Sequence, residues 1–341
     1  MRMLCLSLAG SVALVLASCA SKQEEAPVTS PPPASVTEGL DRYMMQRARV
    51  EAVSFRLRKA AARDCDKQNA TGPELGLIVW SLANFENPHD LAYLKSKFAL
   101  SDGVTVALAI DGSPAASAGL REGKVITHIN DSAVNEGKGA TERFIAKSNA
   151  AVQKGPVRLR LADGSETTLV PENVCKFITL LVRSPETNAA ADGRVLAITS
   201  GLFDLTTSDD ELALVLGHEL AHNVLGHLKK SSPNRPGGIL DAFMRATIGT
   251  AVAAVQTPPY SIAAEKEADY AGLYFMARAG YDFTTADAFW RRLNQTTRAT
   301  SVVKTHPSGA ERLKAIQSAI AEIKAKQKLG KPLEPNLKPR R

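Results

Sequence analysis

The chain has 341 residues, with 42 Lys and Arg against 35 Asp and Glu, a formal charge of +7, and 44% hydrophobic residues. A charge this mild and dispersed argues against nucleic-acid binding, and the chain shows no internal repeat and no room for a tetratricopeptide array. About 290 residues remain for folding once the ends are set aside, enough for two domains with their own cores.

Residues 1–18 start with Arg2 and run through Leu4, Leu6, Leu8 and Val12 to Leu16. This apolar run is short for a membrane span and suits a signal peptide. It closes on Leu16-Ala17-Ser18-Cys19, which resembles the lipobox of bacterial lipoproteins. The resemblance implies that Cys19 is lipidated and heads the mature chain; an ordinary signal peptide with an incidental cysteine is the alternative. No aspartate follows Cys19, which implies an outer-membrane anchor facing the periplasm. Loss of the signal removes only Arg2 from the basic residues, so the mature charge is about +6.

Residues 19–36, with Glu24, Glu25, Pro27 and Pro31-Pro32-Pro33, read as a disordered tether. In the unit 37–71, Leu40, Met44, Val50, Val53 and Leu57 recur at helical spacing, with Arg42, Arg47, Arg49, Arg56, Arg58, Lys59 and Arg63 between them. The pattern predicts one amphipathic helix whose basic face is solvated, or touches anionic lipid or an acidic partner. With Cys5 removed and Cys19 lipidated, Cys65 and Cys175 are left as an expected disulfide in an oxidising compartment. Closing that loop stabilises the fold by about 4 to 5 kcal/mol on the chain-entropy account.

Residues 72–174 form a second expected unit. Ile78-Val79-Trp80 is a short apolar run, Val104 to Ile110 alternates partly as a strand, and Val157 to Leu161 with Glu166 to Val170 form a hairpin turning at Asp163-Gly164. Gly112-Ser113-Pro114-Ala115-Ala116-Ser117-Ala118-Gly119-Leu120 makes the segment resemble a PDZ domain fused to a bacterial protease. That resemblance implies that Leu75, Gly76 and Leu77 receive a peptide carboxylate while the peptide adds as a strand. A purely structural domain is the alternative, and the insertion from Asn84 to Ser101 departs from the compact pattern.

The catalytic unit, 175–325, opens with Arg194 to Ser200, expected as an edge strand facing a cleft. His218-Glu219-Leu220-Ala221-His222 then lies in an apolar run that reads as a helix. Histidines four apart share a helix face, so both can ligate one zinc ion, and Glu219 between them is placed as a general base. A metzincin pattern is excluded, because Leu225 and Leu228 stand where Gly and His belong, with Gly226 and His227 out of register by one. Pro233 to Pro259 reads as a core helix or a flap hinged at Gly237-Gly238. A later helix carries Glu265 and Asp269 four apart, so Glu265 can be the third ligand while Asp269 orients a ligating histidine; Glu267 is expected in solvent. Residues 326–341, with Lys331, Lys338, Arg340 and Arg341, read as a basic disordered tail.

Taken in order, Gly201-Leu202-Phe203, Asp209 to Ala213, His218 to His222, Pro259-Tyr260-Ser261, Glu265 to Asp269, and Thr305-His306-Pro307-Ser308 with Glu311-Arg312 resemble the HtpX and CAAX-prenyl-protease type zinc metallopeptidases of family M48. The resemblance spans about residues 190–320 and departs at Ile262, where many members carry arginine. It implies an α+β chain with a mainly helical, gluzincin-type zincin domain and a small edge sheet. It also implies one Zn2+ held by His218, His222 and Glu265, with Asp269 and Arg312 supporting the ligands. His306 is placed beside the metal, either as an oxyanion donor or as a latch that fills the open position. The expected activity is endoproteolysis of unfolded or misassembled envelope proteins in the periplasm, and the competing reading is a non-catalytic lipoprotein chaperone or scaffold.

Overall fold

A computed structural model describes residues 34–85, 88–227, 260–295 and 310–337. The expected signal, Cys19, the tether up to residue 33, the flap segment Pro233 to Pro259, and His306 lie outside the described residues, and residues 34–36, expected at the end of the tether, are helical instead. Among those residues, no helix is long and apolar enough to cross a membrane.

The chain begins with a long helix, α1 (Ala34–Ala60), followed by α2 (Ala62–Asp66). The expected helix forms, but it is not a unit of its own. Val50, Val53 and Leu57 recur at three- and four-residue spacing and are buried in the main helical core, while Phe55 turns the other way and packs with Ile110 and Val174. Each such burial contributes about 1.5–3 kcal/mol, so α1 is a shared wall between the two halves of the molecule. Its basic face is also more engaged than the sequence suggests. Arg42 pairs with Asp204 and Arg49 with Asp209 at the surface. Arg58 is buried and grips both carboxylate oxygens of Glu74, at 2.5 and 3.0 Å. A buried guanidinium is tolerated only when paired in this way, whereas the surface pairs contribute little.

The first half is an antiparallel sheet. Its strands are β1 (Thr71–Glu74), β2 (Leu77–Trp80), β3 (Val104–Ala109), β4 (Val125–Ile129), β5 (Ser132–Ala133), β6 (Val157–Leu161), β7 (Glu166–Leu169) and β8 (Glu172–Cys175). The main order is β2-β3-β4-β6-β7, with β5 on β4 and a separate β1-β8 pair. Helices α3 (Pro88–Phe98), α4 (Pro114–Ser117) and α5 (Ala140–Val152) complete the unit. β6 shows the period-2 rule plainly: Val157, Leu159 and Leu161 are buried and Arg158 and Arg160 are exposed. The β6–β7 hairpin turns at Asp163-Gly164 with Gly164 at φ +83°. The insertion after Asn84 folds as α3 and buries Tyr93, Leu94 and Leu100 in a small cluster of its own. Thr71 pairs with Cys175, and the Cys65–Cys175 disulfide fastens α2 to the end of β8, so the chain enters and leaves this half at one point.

The second half has a three-stranded sheet of β9 (Ile178–Val182), β10 (Ala189–Ala191) and β11 (Val195–Thr199), in the order β10-β11-β9. Val195 to Thr199 is therefore the central strand and not the edge strand expected from sequence. Four of its five residues are buried, as a strand covered on both sides requires, and β10, a three-alanine segment with almost no strand signal, takes the edge.

The helices here are α6 (Ser200–Phe203), α7 (Asp209–Val224), α8 (Ile262–Ala279), α9 (Ala286–Gln295) and α10 (Ala310–Lys328). α7 and α8 cross at two glycines. A Cβ on Gly272 would stand 3.0 Å from the backbone of Gly217, so any larger residue there would force the two helices apart by a few tenths of an ångström. The tail beyond α10 also departs from expectation. Leu333 and Leu337 pack on the core, and Asn336 donates its backbone N–H to Tyr270 Oη and its side-chain amide to Glu322.

Candidate metal centre

Helix α7 starts where Ser208 accepts the N–H of Glu211, with Asp209, Asp210 and Glu211 in the first turn against the positive end of the helix dipole. From Glu211 to Val224 every residue is buried. An amphipathic pattern would leave one face wet; this helix is the middle of the domain. Ser261 caps α8 in the same manner, accepting from Ala264, and Glu265 in its first turn is fully buried.

The crossing of these helices brings three donors together. His218 Nε2 and His222 Nε2 are 3.0 Å apart, and the Glu265 carboxylate oxygens lie 3.4 Å from the first and 3.3 Å from the second. A tetrahedral ion with bonds of about 2.0–2.1 Å requires donors about 3.3 Å apart, so the triangle fits zinc in both size and donor type. Among the described residues this is the cluster able to hold a metal.

His218 Nδ1 lies 2.9 Å from Asp269 Oδ1, and Arg312 holds Asp269 through Nε at 2.5 Å and Nη2 at 2.9 Å. Arg312 Nη1 also stands 3.1 Å from Glu265, and the guanidinium lies over the Trp290 ring at 4.4 Å. Burial works to lower the His218 pKa, but Glu265 and then Asp269 outweigh it and raise it to about 9. Burial likewise works to raise Asp269, yet Arg312 holds it below the ordinary carboxylate value. Asp269 is thus an anionic acceptor that holds His218 Nδ1 as a donor in either protonation state, so the proton a bound metal would displace is the one on Nε2.

Glu219 is 2% exposed and lines a small internal space with Ala189, Leu202, His218, Trp290 and Leu293. Ala189 belongs to the edge strand, so β10 and the candidate base meet in one place. Two side chains pin that strand: Asn223, which the sequence does not single out, and Tyr260, which the sequence places in the Pro259-Tyr260-Ser261 segment without a role. Asn223 accepts from Gly193 N–H at 2.6 Å and donates to Val195 O at 3.0 Å, tying the β10–β11 turn to α7. Tyr260 stacks on His222 with ring centroids 3.7 Å apart and donates its hydroxyl to Ala191 O. Burial is the main cause of its raised pKa, with Glu219 and Glu265 next, so the hydroxyl stays protonated. Asn223 belongs to no spacing pattern, and the Pro259-Tyr260-Ser261 segment marks Tyr260 without saying what its ring or hydroxyl meets.

Glu267, expected in solvent, is 43% exposed, with one oxygen 3.3 Å from His227 Nε2. Leu75, Gly76 and Leu77 are not at this centre. They line a groove between the free edge of β2 and α5, together with Val79, Phe144 and Val152. The Leu75 and Gly76 carbonyls accept from Ala115 and Ile110, and no described hydrogen bond uses their own N–H groups.

Residues 160–320 match the family model described as Peptidase family M48. The mitochondrial metalloendopeptidase OMA1 of Schizosaccharomyces pombe is 28% identical over 169 residues, covering 43% of this chain and 48% of that protein. A Vibrio cholerae protein, provisionally named a beta-barrel assembly-enhancing protease, is 31% identical over 161 residues, 40% of this chain and 33% of its own length. The metalloprotease YcaL of Escherichia coli is 25% identical over 258 residues, 70% of this chain and its entire length. The chain thus spans about half or less of the OMA1 and Vibrio relatives it matches.

Proposed function

We propose, from the premise that residues 160–320 are a family M48 metallopeptidase domain, that this chain is a zinc endopeptidase acting on unfolded or misassembled proteins of the cell envelope. The observation that carries the reading is the buried His218-His222-Glu265 triangle with Glu219 adjacent on the same helix. Bound zinc supplies a Lewis acid that acidifies a water and polarises a carbonyl. The chain's own residues do the rest. Glu219 takes the proton of the attacking water and passes it to the leaving amine nitrogen, which needs no covalent intermediate. Asp269 and Arg312 hold His218 in the ligating tautomer. The β10 edge, fastened by Asn223 and Tyr260, offers backbone groups on which an extended substrate adds as a strand beside Glu219. His306 acts at the same centre, as an oxyanion donor or as a latch in the absence of substrate.

The sheet half serves as a PDZ-like module. The N–H groups of Leu75 and Gly76, residues that line one end of the β2–α5 groove, suit a peptide carboxylate, and the free β2 edge suits its backbone. Lipidation of Cys19 would hold the enzyme at the periplasmic face of the outer membrane. The name of the Vibrio relative supports an envelope substrate.

The test is cleavage of an unfolded β-barrel protein by the mature chain beside Glu219→Gln, with zinc measured on both. Glu219→Gln is expected to keep zinc and lose about 100- to 10,000-fold in turnover. Equal activity of the two proteins, or a wild type without peptidase activity, sinks the reading.

A further inference from the structure

Helix α7 ends in a way that places a third imidazole against the metal centre. Gly226 takes φ +64° and donates its N–H to Asn223 O, and the His227 N–H reaches back to His222 O at 3.1 Å. This is a Schellman turn, with Gly226 in the left-handed position and His227 folded back onto the residue one turn inside the helix, which is His222. In most such turns the returning contact is apolar. Here it is a hydrogen bond between rings: His227 Nδ1 stands 2.8 Å from His222 Nδ1, and its Nε2 stands 3.3 Å from Glu267 Oε2.

These contacts admit one arrangement of protons that serves the triangle. If His222 is to offer the Nε2 lone pair beside His218 and Glu265, its proton must sit on Nδ1 and be donated outward. The acceptor is His227 Nδ1, which must then lack a proton, so the His227 proton is on Nε2 and is donated to Glu267. Glu267 can accept and cannot donate as a carboxylate, so it sets the direction of the chain. We infer that His227 and Glu267 form a hydrogen-bond relay that holds His222 in its ligating tautomer, making both of them positioning residues of the metal centre. The inference rests on the zinc reading given above.

The two ligand histidines are therefore backed differently. His218 is held directly by a buried carboxylate, whose charge Arg312 balances. On the other side, a second buried carboxylate would add to the charge of Glu219 and Glu265, a costly placement. Inserting a neutral imidazole lets the orienting carboxylate stay at the surface, where Glu267 is 43% exposed while the His227 side chain is 1% exposed. The stacked Tyr260 ring limits His222 to in-plane adjustment, so the relay governs the remaining freedom.

The experiment measures zinc affinity by competition with a chromophoric chelator on the mature chain, and the melting of the metal-free protein alongside. His227→Leu removes the acceptor and is expected to weaken zinc binding by about 10- to 100-fold while the metal-free protein still melts cooperatively. His227→Asn places an amide oxygen near the position of Nδ1 and should stay within about threefold of wild type, and Glu267→Ala should weaken binding by less than about tenfold. If His227→Leu does not fold, Glu267→Ala decides: zinc binding weakened by about two- to tenfold, with His227→Asn closer to wild type, supports the relay, and an unchanged affinity in Glu267→Ala overturns it. A wild type that binds zinc with His227→Leu binding it equally, or His227→Asn losing as much as His227→Leu, overturns the inference alone. A wild type that binds no zinc overturns the functional reading with it.

Discussion

The two halves of this molecule use burial in opposite ways. In the sheet half the fully covered side chains are Val104, Val106, Leu159, Leu169 and their neighbours, and the buried polar groups are mostly hydroxyls such as Thr105 and Ser113. In the helical half, His218, Glu219, His222, Glu265, Asp269 and Arg312 are all at most 4% exposed, and all of them but Glu219 are joined by the contacts described above. The sheet half is an ordinary apolar core with an unpaired edge; the helical half gives up stability to hold ionisable groups out of water. Such groups persist where each is paired and where a fixed field is needed for chemistry.

The comparison predicts different responses to mutation. The largest structural effect is expected for Arg312→Met, which leaves Asp269 and Glu265 buried without their cation and should cost about 3–5 kcal/mol as well as zinc affinity. Denaturant titration with and without zinc measures both. A stable, zinc-tight Arg312→Met would mean that the network is ornamental. Leu159→Ala in the sheet half should cost about 2–5 kcal/mol by leaving a cavity, with zinc affinity unchanged. A parallel loss of zinc would show that the halves are coupled through α1 more strongly than their separate cores suggest.

Gly272→Ala comes next, because a methyl at the α7–α8 crossing must push the Gly217 backbone away. It should weaken zinc binding more than it lowers the melting temperature, since the donor triangle spans that crossing; the reverse ranking would place the strain elsewhere. Glu211 gives a smaller, pH-dependent effect. Burial works to raise its pKa, but Arg292 and Thr207 hold it below its usual 4.5. A depressed folded-state pKa contributes stability above about 4.5 that is lost as pH falls through the folded value. Glu211→Gln should therefore flatten the acid side of the stability profile, and an unaltered profile below that pH would refute the assignment. Arg42→Ala, at an exposed ion pair, is expected to change neither stability nor zinc binding measurably.

Much of this was local enough to be written in the chain. A four-residue spacing puts His218 and His222 on one face whatever surrounds them, and Ser208 and Ser261 mark the helix starts by their own capping chemistry. Alternation in Val157 to Leu161 states which side of β6 is buried, and a glycine after Asp163 marks its turn. Cysteine arithmetic proposes the Cys65 and Cys175 pair without any geometry.

What tertiary structure alone decided depends on partners far away in the chain. Whether a strand is central or at an edge is a property of its neighbours, so Val195 to Thr199 looked like the edge and the featureless Ala189–Ala191 took that place. An arginine-rich helix face says nothing about which carboxylates will meet it, here Glu74, Asp204 and Asp209, and α1 is a wall between two cores because Val50, Val53 and Leu57 find one apolar partner surface and Phe55 another. His227 shows the boundary most sharply: Gly226 announces a helix end, but a histidine one step past it meets a ring of the candidate triangle only because the turn folds back onto His222 while α8 brings Glu267 to its far side.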